Sequence, residues 1–433
     1  MLRRISEFKG FEITINTTEE CNMRCKYCYE INKANKNLKF EEIKKFLDLF
    51  IIKEPQKVIE LQNNELSNAN KFGVLIDFIG GDSFMNVDLM EQTIKYFIYL
   101  VNTVDNKVTR VWRKNYRFSI STNGTLFNDK VKKFCEKYKD ILYVGISIDG
   151  CPEIHDKNRI MSYRGPNGEE IGSMQFILKD WEWYKTLNKN MALTTKATMS
   201  KDTIPYIYES LKYMHEKLGL VDINQNFIME DAHLTKEDYI EFDNQLRKSV
   251  EYILKNKNKL YWSVLDKEQF AKHYSSFKKD LASKSHCGSG DMPCLGVNGK
   301  IYPCFRWAPH TQTKDTMDKM VTGDIENGFN NFQNFFKVLE NSEKKNCTKE
   351  ERCKECEYES ACAYCIGGCY SEFGDFIRTT YICEITKLQC KWAKVYWNEY
   401  NLSIGEELEF DKKYLLKNVP SWNEKYLGTN LGD

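Results

Sequence analysis

The stretch Thr17–Glu30, TTEECNMRCKYCYE, places Cys21, Cys25 and Cys28 in one short loop, directly behind the alternating run FEITIN (11–16). Three is an awkward number of thiols. A structural zinc takes four ligands and a disulfide takes two. On a four-iron cubane, however, three thiolates leave one iron with a position for another ligand.

The rest of the chain narrows the possibilities. Its 433 residues fit two domains, one of them a large α/β unit. Lys+Arg 63 against Asp+Glu 62 gives a net charge of +1, with no excess to draw nucleic acid or an anionic membrane. Aromatic residues make up 13% and prolines number only 8, a globular composition and not a disordered one. There is no apolar run of membrane-spanning length, and MLRRISEFKGFEITIN lacks the apolar stretch of a signal peptide. The expectation is a cytoplasmic protein with no nucleic-acid or membrane partner. In that compartment sixteen cysteines point to metal or iron–sulfur ligation and not to a disulfide framework. They are unevenly spread. After Cys28 only Cys135 and Cys151 occur before Cys287, and eleven then fall between 287 and 390.

From residue 11 to about 230, short β-branched runs alternate with longer amphipathic ones. The expected strands are FEITIN (11–16), GVLIDFI (73–79), YRFSIS (116–121), LYVGISI (142–148), ALTTKATM (192–199) and VDINQNF (221–227). Between them, FEEIKKFLDLFII spaces Phe40, Ile43, Phe46, Leu47 and Phe50 for one buried helical face. Six such units predict an α/β fold, a partial (β/α)6 TIM-like barrel with a parallel sheet. Ligands of such sheets bind at the carboxyl ends of the strands. The cysteine triplet, Gly80-Gly81-Asp82, Thr122-Asn123-Gly124 and Ser147-Ile148-Asp149-Gly150 all fall at those ends.

CX3CX2C behind a first strand, with an aromatic before the third cysteine, resembles the radical S-adenosylmethionine superfamily. The resemblance implies that Cys21, Cys25 and Cys28 hold a 4Fe–4S cluster whose open iron chelates S-adenosylmethionine, and that reductive cleavage yields a 5′-deoxyadenosyl radical. It further implies cofactor contacts for Gly80, Gly81 and Asp82, with Asp where Glu is commoner. SIDGCPEIHDKNR is similar to the family's SxDGP…HD..R segment. By that likeness Ser147 and Asp149 lie at the cofactor, Arg159 pairs with the methionine carboxylate, and Tyr27 meets the adenine. Asn123 is either a ligand contact or part of a strand-end turn, Asp82 or Ser83 also suits a helix N-cap, and His155, Cys135 and Cys151 read as structural.

The region 231–285 is charged and reads as a helical bridge. Beyond it VNGKIYPC reads as a β-hairpin, with Asn298-Gly299 as the turn and Cys304 on the returning strand. Cys287 and Cys304 fit the opening of the SPASM domain, a small cysteine-rich α+β iron–sulfur module, and CKECEYESACAYCIGGC resembles its second half with one extra cysteine. The implied division is barrel 1–230, bridge 231–285, SPASM domain 286–395 and extension 396–433. The resemblance implies two auxiliary 4Fe–4S clusters, three clusters in all. One would use Cys287, Cys304 and Cys369, with Cys294 either a displaceable fourth ligand or free. The other would use Cys353, Cys356, Cys365 or Cys362, and Cys383. Cys347 and Cys390 are left over. Zinc at CX2C…CX2C is the competing reading.

Enzymes of this build modify peptides. The expected function is a radical maturase that crosslinks a precursor peptide through a thioether or a carbon–carbon bond. The alternatives are another radical modification, by epimerisation or formylglycine-type oxidation, or a zinc-dependent binding module. Expected partners are the peptide and an electron donor such as flavodoxin or ferredoxin. Few residues precede the first strand, so leader recognition lies elsewhere, uses a separate leader-binding protein, or is absent. Phe305 stands where sulfatase-maturing enzymes carry an aspartate.

Overall fold

Along the barrel strands, one set of alternate residues is largely apolar and packs under the helices, while the other set is largely polar and faces the opposite side. The computed structural model describes residues 10–63, 73–187, 194–228, 232–256, 260–271, 289–290, 292–343, 356, 358, 361–362, 365–377 and 381–403. Cys287, Cys347, Cys353 and the stretch 404–433 lie outside them. The strands are β1 Phe11–Thr18, β2 Val74–Gly80, β3 Tyr116–Thr122, β4 Leu142–Ser147, β5 Ile160–Arg164, β6 Glu170–Gly172, β7 Thr194–Met199, β8 Asp222–Phe227, β9 Tyr261–Trp262, β10 Cys294–Leu295, β11 Lys300–Tyr302 and β12 Gly323–Asp324. All six expected strands form, and they pair in parallel in the order β1-β2-β3-β4-β7-β8.

The packed face is continuous. Ile13 and Ile15, Ile76 and Phe78, Phe118 and Ile120, Val144 and Ile146, Ala197 and Met199 join one core with the helices outside the sheet. The helix Phe40–Asp48 buries Ile43, Phe46 and Leu47 as its spacing predicts, then widens into a π-turn over Leu49–Lys53 that buries Phe50.

Two short strands extend the barrel at its edges. Residues 261–262 contribute β9, parallel to β8, and the cysteine-rich region contributes β10, parallel to β1 with Thr14 opposite Cys294. The predicted hairpin exists, with β10 and β11 antiparallel and Gly299 at φ +74° in the turn. Its returning strand stops at Tyr302, however. Cys304 lies beyond it, at the start of the 3-10 turn Phe305–Trp307, because Pro303 cannot donate to the ladder. No helix among the described residues is long and apolar enough to cross a membrane.

Candidate functional site

The cysteine loop is stitched to its neighbours on two sides. On one, Gly81 N–H donates to the Thr18 carbonyl and Asp82 N–H to that of Glu20, each at 2.9 Å. On the other, Arg24 N–H reaches the Ile160 carbonyl and Lys26 N–H that of Asn158, also at 2.9 Å. These backbone bonds fix the spacing of the thiols. They also explain the glycine pair. A Cβ on Gly80 would lie 1.8 Å from the Thr18 carbonyl oxygen, and one on Gly81 would lie 2.1 Å from that of Glu20. Gly80 additionally sits at φ +130°. The glycines therefore make room for the loop's own backbone, a requirement set before any cofactor arrives.

Cys21, Cys25 and Cys28 are all free thiols. Burial pushes the Cys21 thiol up to about 12 and raises that of Cys25, with Lys33 and Arg159 respectively opposing the shift. Such thiols ionise when a metal bonds them. Three thiols in one loop match the donor types of a 4Fe–4S cluster with an open iron, and among the described residues no three His, Cys, Asp or Glu side chains already stand in metal-binding geometry.

Asp149 organises the opposite wall. Arg159 donates Nε to Oδ2 at 3.0 Å and Nη2 to Oδ1 at 3.1 Å, Thr198 N–H donates to Oδ1 at 2.8 Å, and the Tyr27 hydroxyl donates to Oδ2. The Arg159 guanidinium also lies 5.4 Å from the Tyr27 ring centre. Burial pulls the Arg159 pKa down, but Asp149 more than offsets this and the net shift is upward. The sequence reading assigned Tyr27, Asp149 and Arg159 separate contacts with the cofactor; the structure joins them in one network.

His155 supports that network from below. Its Nε2 lies 2.8 Å from Ser173 Oγ, whose own proton goes to the Arg159 carbonyl, so Nε2 is the donor. Nδ1 then accepts from Asp149 N–H at 3.3 Å. Burial lowers its pKa to about 3, and it is structural as expected.

Asp82 is fully engaged by protein. Oδ2 accepts from Thr122 Oγ and Asn123 N–H, both at 2.8 Å, and Oδ1 caps the next turn through Phe84 N–H at 3.0 Å. The Asn123 side chain closes a strand-end turn on Thr125 and donates to Asn22 Oδ1 at 2.9 Å, tying the turn to the cysteine loop. Ser147 ends β4 opposite Lys196 of β7. Cys135 is core, and Cys151 precedes the helix Pro152–Asn158.

The cysteine-rich region brings Cys294, Cys304 and Cys369 together in one buried apolar cluster with Tyr302, Trp307, Ile366 and Ile79 of β2. Cys362 packs on its edge. Cys365 caps the helix Ile366–Phe373, its Sγ accepting from Gly368 N–H at 3.3 Å. Cys390, left over in the sequence reading, is buried within electrostatic reach of Cys362 and Cys356. It shares the helix Cys383–Ser403 with Cys383, seven residues before it, and that i,i+7 spacing is the signal that could have placed it.

Two further groups escaped the sequence reading. Tyr29, immediately after Cys28, packs its ring 5.8 Å from that of Phe305, immediately after Cys304, and beneath the Arg306 guanidinium at 4.6 Å. His310 buries its ring against Asn16 Nδ2, with Nδ1 at 3.1 Å, and its carbonyl accepts from Asn32 N–H at 3.0 Å. Both tie the first cysteine loop to the second region. A cavity of about 250 Å³, lined by Asn224, Asn226, Tyr261, Gln269, Ile382 and Gln389, lies between β8 and the helix that carries Cys383.

The sequence profile of the Radical SAM superfamily matches residues 15–171. The chain is 25% identical over 367 residues to a cysteine-type anaerobic sulfatase-maturating enzyme of Clostridium novyi, covering 80% of this chain and 84% of that one. It is 22% identical over 403 residues to the radical SAM cyclopropyl synthase TigE of Paramaledivibacter caminithermalis, covering 89% and 75%. The solved structure of native anSMEcpe with bound AdoMet and Cp18Cys peptide superposes with a TM-score of 0.62 at 19% identity, over 92% of this chain and 99% of that one. With the profile laid over the cysteine loop and the Asp149 network, and the fold shared almost end to end, the chain is a radical S-adenosylmethionine enzyme, of a family that works with a 4Fe–4S cluster and S-adenosylmethionine.

Proposed function

We propose that this enzyme matures a precursor peptide by forming an intramolecular crosslink, a thioether or a carbon–carbon bond. When bound and reduced by one electron from the donor, the cluster and S-adenosylmethionine would supply a 5′-deoxyadenosyl radical, with methionine leaving. One hydrogen atom of a peptide carbon would go to that radical. On bond formation the second hydrogen would leave as a proton, with its electron passing to an auxiliary cluster. The chain's own residues hold the reactants. Cys21, Cys25 and Cys28 take the cluster, Gly80, Gly81, Asp82 and Asn123 position its loop, and Ser147 with the Tyr27–Asp149–Arg159 network forms the cofactor wall. Two auxiliary clusters would be held by Cys287, Cys294, Cys304 and Cys369, and by Cys353, Cys356, Cys362 or Cys365, and Cys383. The division into barrel, bridge, SPASM domain and extension goes with this reading, as do a flavodoxin or ferredoxin donor, a separate leader-binding protein and a cytoplasmic location.

One observation carries it. Cys294, Cys304 and Cys369 share one buried cluster with Ile79 of β2, and β10, which carries Cys294, pairs with β1; this supports a second set of thiol ligands beside the barrel. The bound peptide in the anSMEcpe structure supports a peptide substrate. Formylglycine-type oxidation is the second reading, favoured by the Clostridium novyi relative. Against it, the residue after Cys304 is Phe305, whose ring packs on Tyr29 and carries no base.

The test is anaerobic reconstitution with S-adenosylmethionine, dithionite and the short peptides encoded beside the gene. A crosslink appears as loss of two hydrogen atoms with a fragmentation gap between the joined residues. A hydrazide-reactive aldehyde instead gives the second reading, and unmodified peptides in every case reject both.

A further inference from the structure

One row of side chains crosses the inner face of the sheet. The pairing register sets Cys294 of β10 opposite Thr14 of β1, Thr14 opposite Asp77 of β2, Asp77 opposite Ser119 of β3, and Ser119 opposite Tyr143 of β4. Their chain neighbours Ile13, Ile15, Ile76, Phe78, Phe118 and Ile120 belong to the core under the helices. Side chains alternate along a strand, so the row faces the barrel lumen.

A carboxylate in the middle of VLIDFIG is costly there unless it has a purpose. Asp77 Oδ1 accepts from the Ser119 hydroxyl. Thr14, at 0% exposure, has a hydroxyl oxygen with no hydrogen-bond partner. A polar pair present only for structure would close on itself, whereas this group leaves the Thr14 hydroxyl oxygen with unused hydrogen-bonding capacity. Lys196, on the far wall, offsets part of the burial effect on Asp77. Asp77 sits on β2 beside β1, whose Thr14 lies opposite both Asp77 and Cys294.

We propose that Asp77, with Thr14 and Ser119, forms the substrate-binding subsite of the lumen, accepting a hydrogen bond from an N–H, O–H or S–H group of the peptide residue to be modified. This rests on the reading that the substrate is a peptide. The subsite fixes which residue is presented, because a residue without a donor group would cover Asp77 and leave it only the Ser119 hydrogen bond.

The experiment selects binders for the reconstituted enzyme with S-adenosylmethionine from a random-sequence peptide library. It then measures their affinity for Asp77→Asn, with iron content and unfolding midpoint as checks on folding. Wild type should enrich peptides rich in one donor-bearing residue type, and Asp77→Asn should bind them roughly ten- to a hundredfold more weakly, the effect of losing a hydrogen bond to a charged group. Equal affinity in wild type and variant overturns the subsite and leaves the peptide reading standing. If wild type enriches nothing, the peptide reading fails and the subsite with it. Should Asp77→Asn not hold its iron, Thr14→Val, which removes only the hydroxyl, decides the matter: weaker binding supports the subsite, and unchanged binding overturns it.

Discussion

Arg159 grips Asp149 through two parallel hydrogen bonds, 3.0 and 3.1 Å long, and both side chains are buried. Removing one partner strands the other charge. Arg159→Ala should therefore destabilise the fold by about 3–5 kcal/mol in denaturant titrations. Arg159→Lys should recover only part of this, since an ammonium cannot supply the planar fork. A change below about 1 kcal/mol would mean that solvent reaches Asp149.

His155 gives the fold a pH dependence of known sign. Its pKa is about 3 when folded, against an ordinary 6.5. Below 6.5 the unfolded chain takes up a proton that the folded chain refuses until about 3. This contribution is therefore fully present above 6.5 and is lost as the pH falls through that window, at about 1.4 kcal/mol per unit. His155→Gln should flatten the slope of unfolding free energy against pH over the window. An unchanged slope would show that other groups set it.

Gly81→Ala should cost about 1–3 kcal/mol, because the new methyl meets the fixed Glu20 carbonyl. Iron should fall with it, since the displaced backbone carries Cys21. Gly145→Ala is the control. Its nearest contact would be 3.9 Å away, and it should be neutral or stabilising by about 0.4–1 kcal/mol. Iron assay and thermal unfolding of both variants make the comparison.

Changing Cys21, Cys25 and Cys28 together to alanine should abolish cleavage of S-adenosylmethionine. On the proposed three clusters it should remove roughly a third of about 12 irons. Surviving cleavage, read by chromatography of 5′-deoxyadenosine, would contradict the assignment of the loop.

Cys294 is fully buried, its Sγ 3.7 Å from the Leu295 carbonyl, with burial first and Cys304 second in holding its thiol protonated. Cys294→Ala should leave iron content nearly intact while altering product formation. Loss of a whole cluster would make it an obligate ligand.

How much of this could be read from the sequence depended on element length. Strands of six to eight residues with alternate apolar positions were legible, and their ends located the cysteine loop, Gly80-Gly81-Asp82 and Asp149. β9 and β10 have two residues each, too few to show a period, so the attachment of the hairpin to β1 was invisible. The Asp149 network was hidden for another reason. Tyr27 and Asp149 are 122 residues apart, and nothing local to either says that they meet. Asp77 did leave a mark, as a charge in the centre of an apolar strand, but without the register its neighbours Thr14 and Ser119 could not be named.

The pairing of Cys294 with Thr14 bears on how the chain is made. β1 leaves the ribosome before β2, yet its other neighbour is synthesised 280 residues later. At ordinary elongation rates of about 5–20 residues per second, that edge stays open for on the order of tens of seconds. An unpaired edge strand is a template for aggregation, and contacts of such sequence separation form slowly. A chain cut short before the hairpin would carry that edge permanently, so soluble expression should require the hairpin even where only the barrel is wanted.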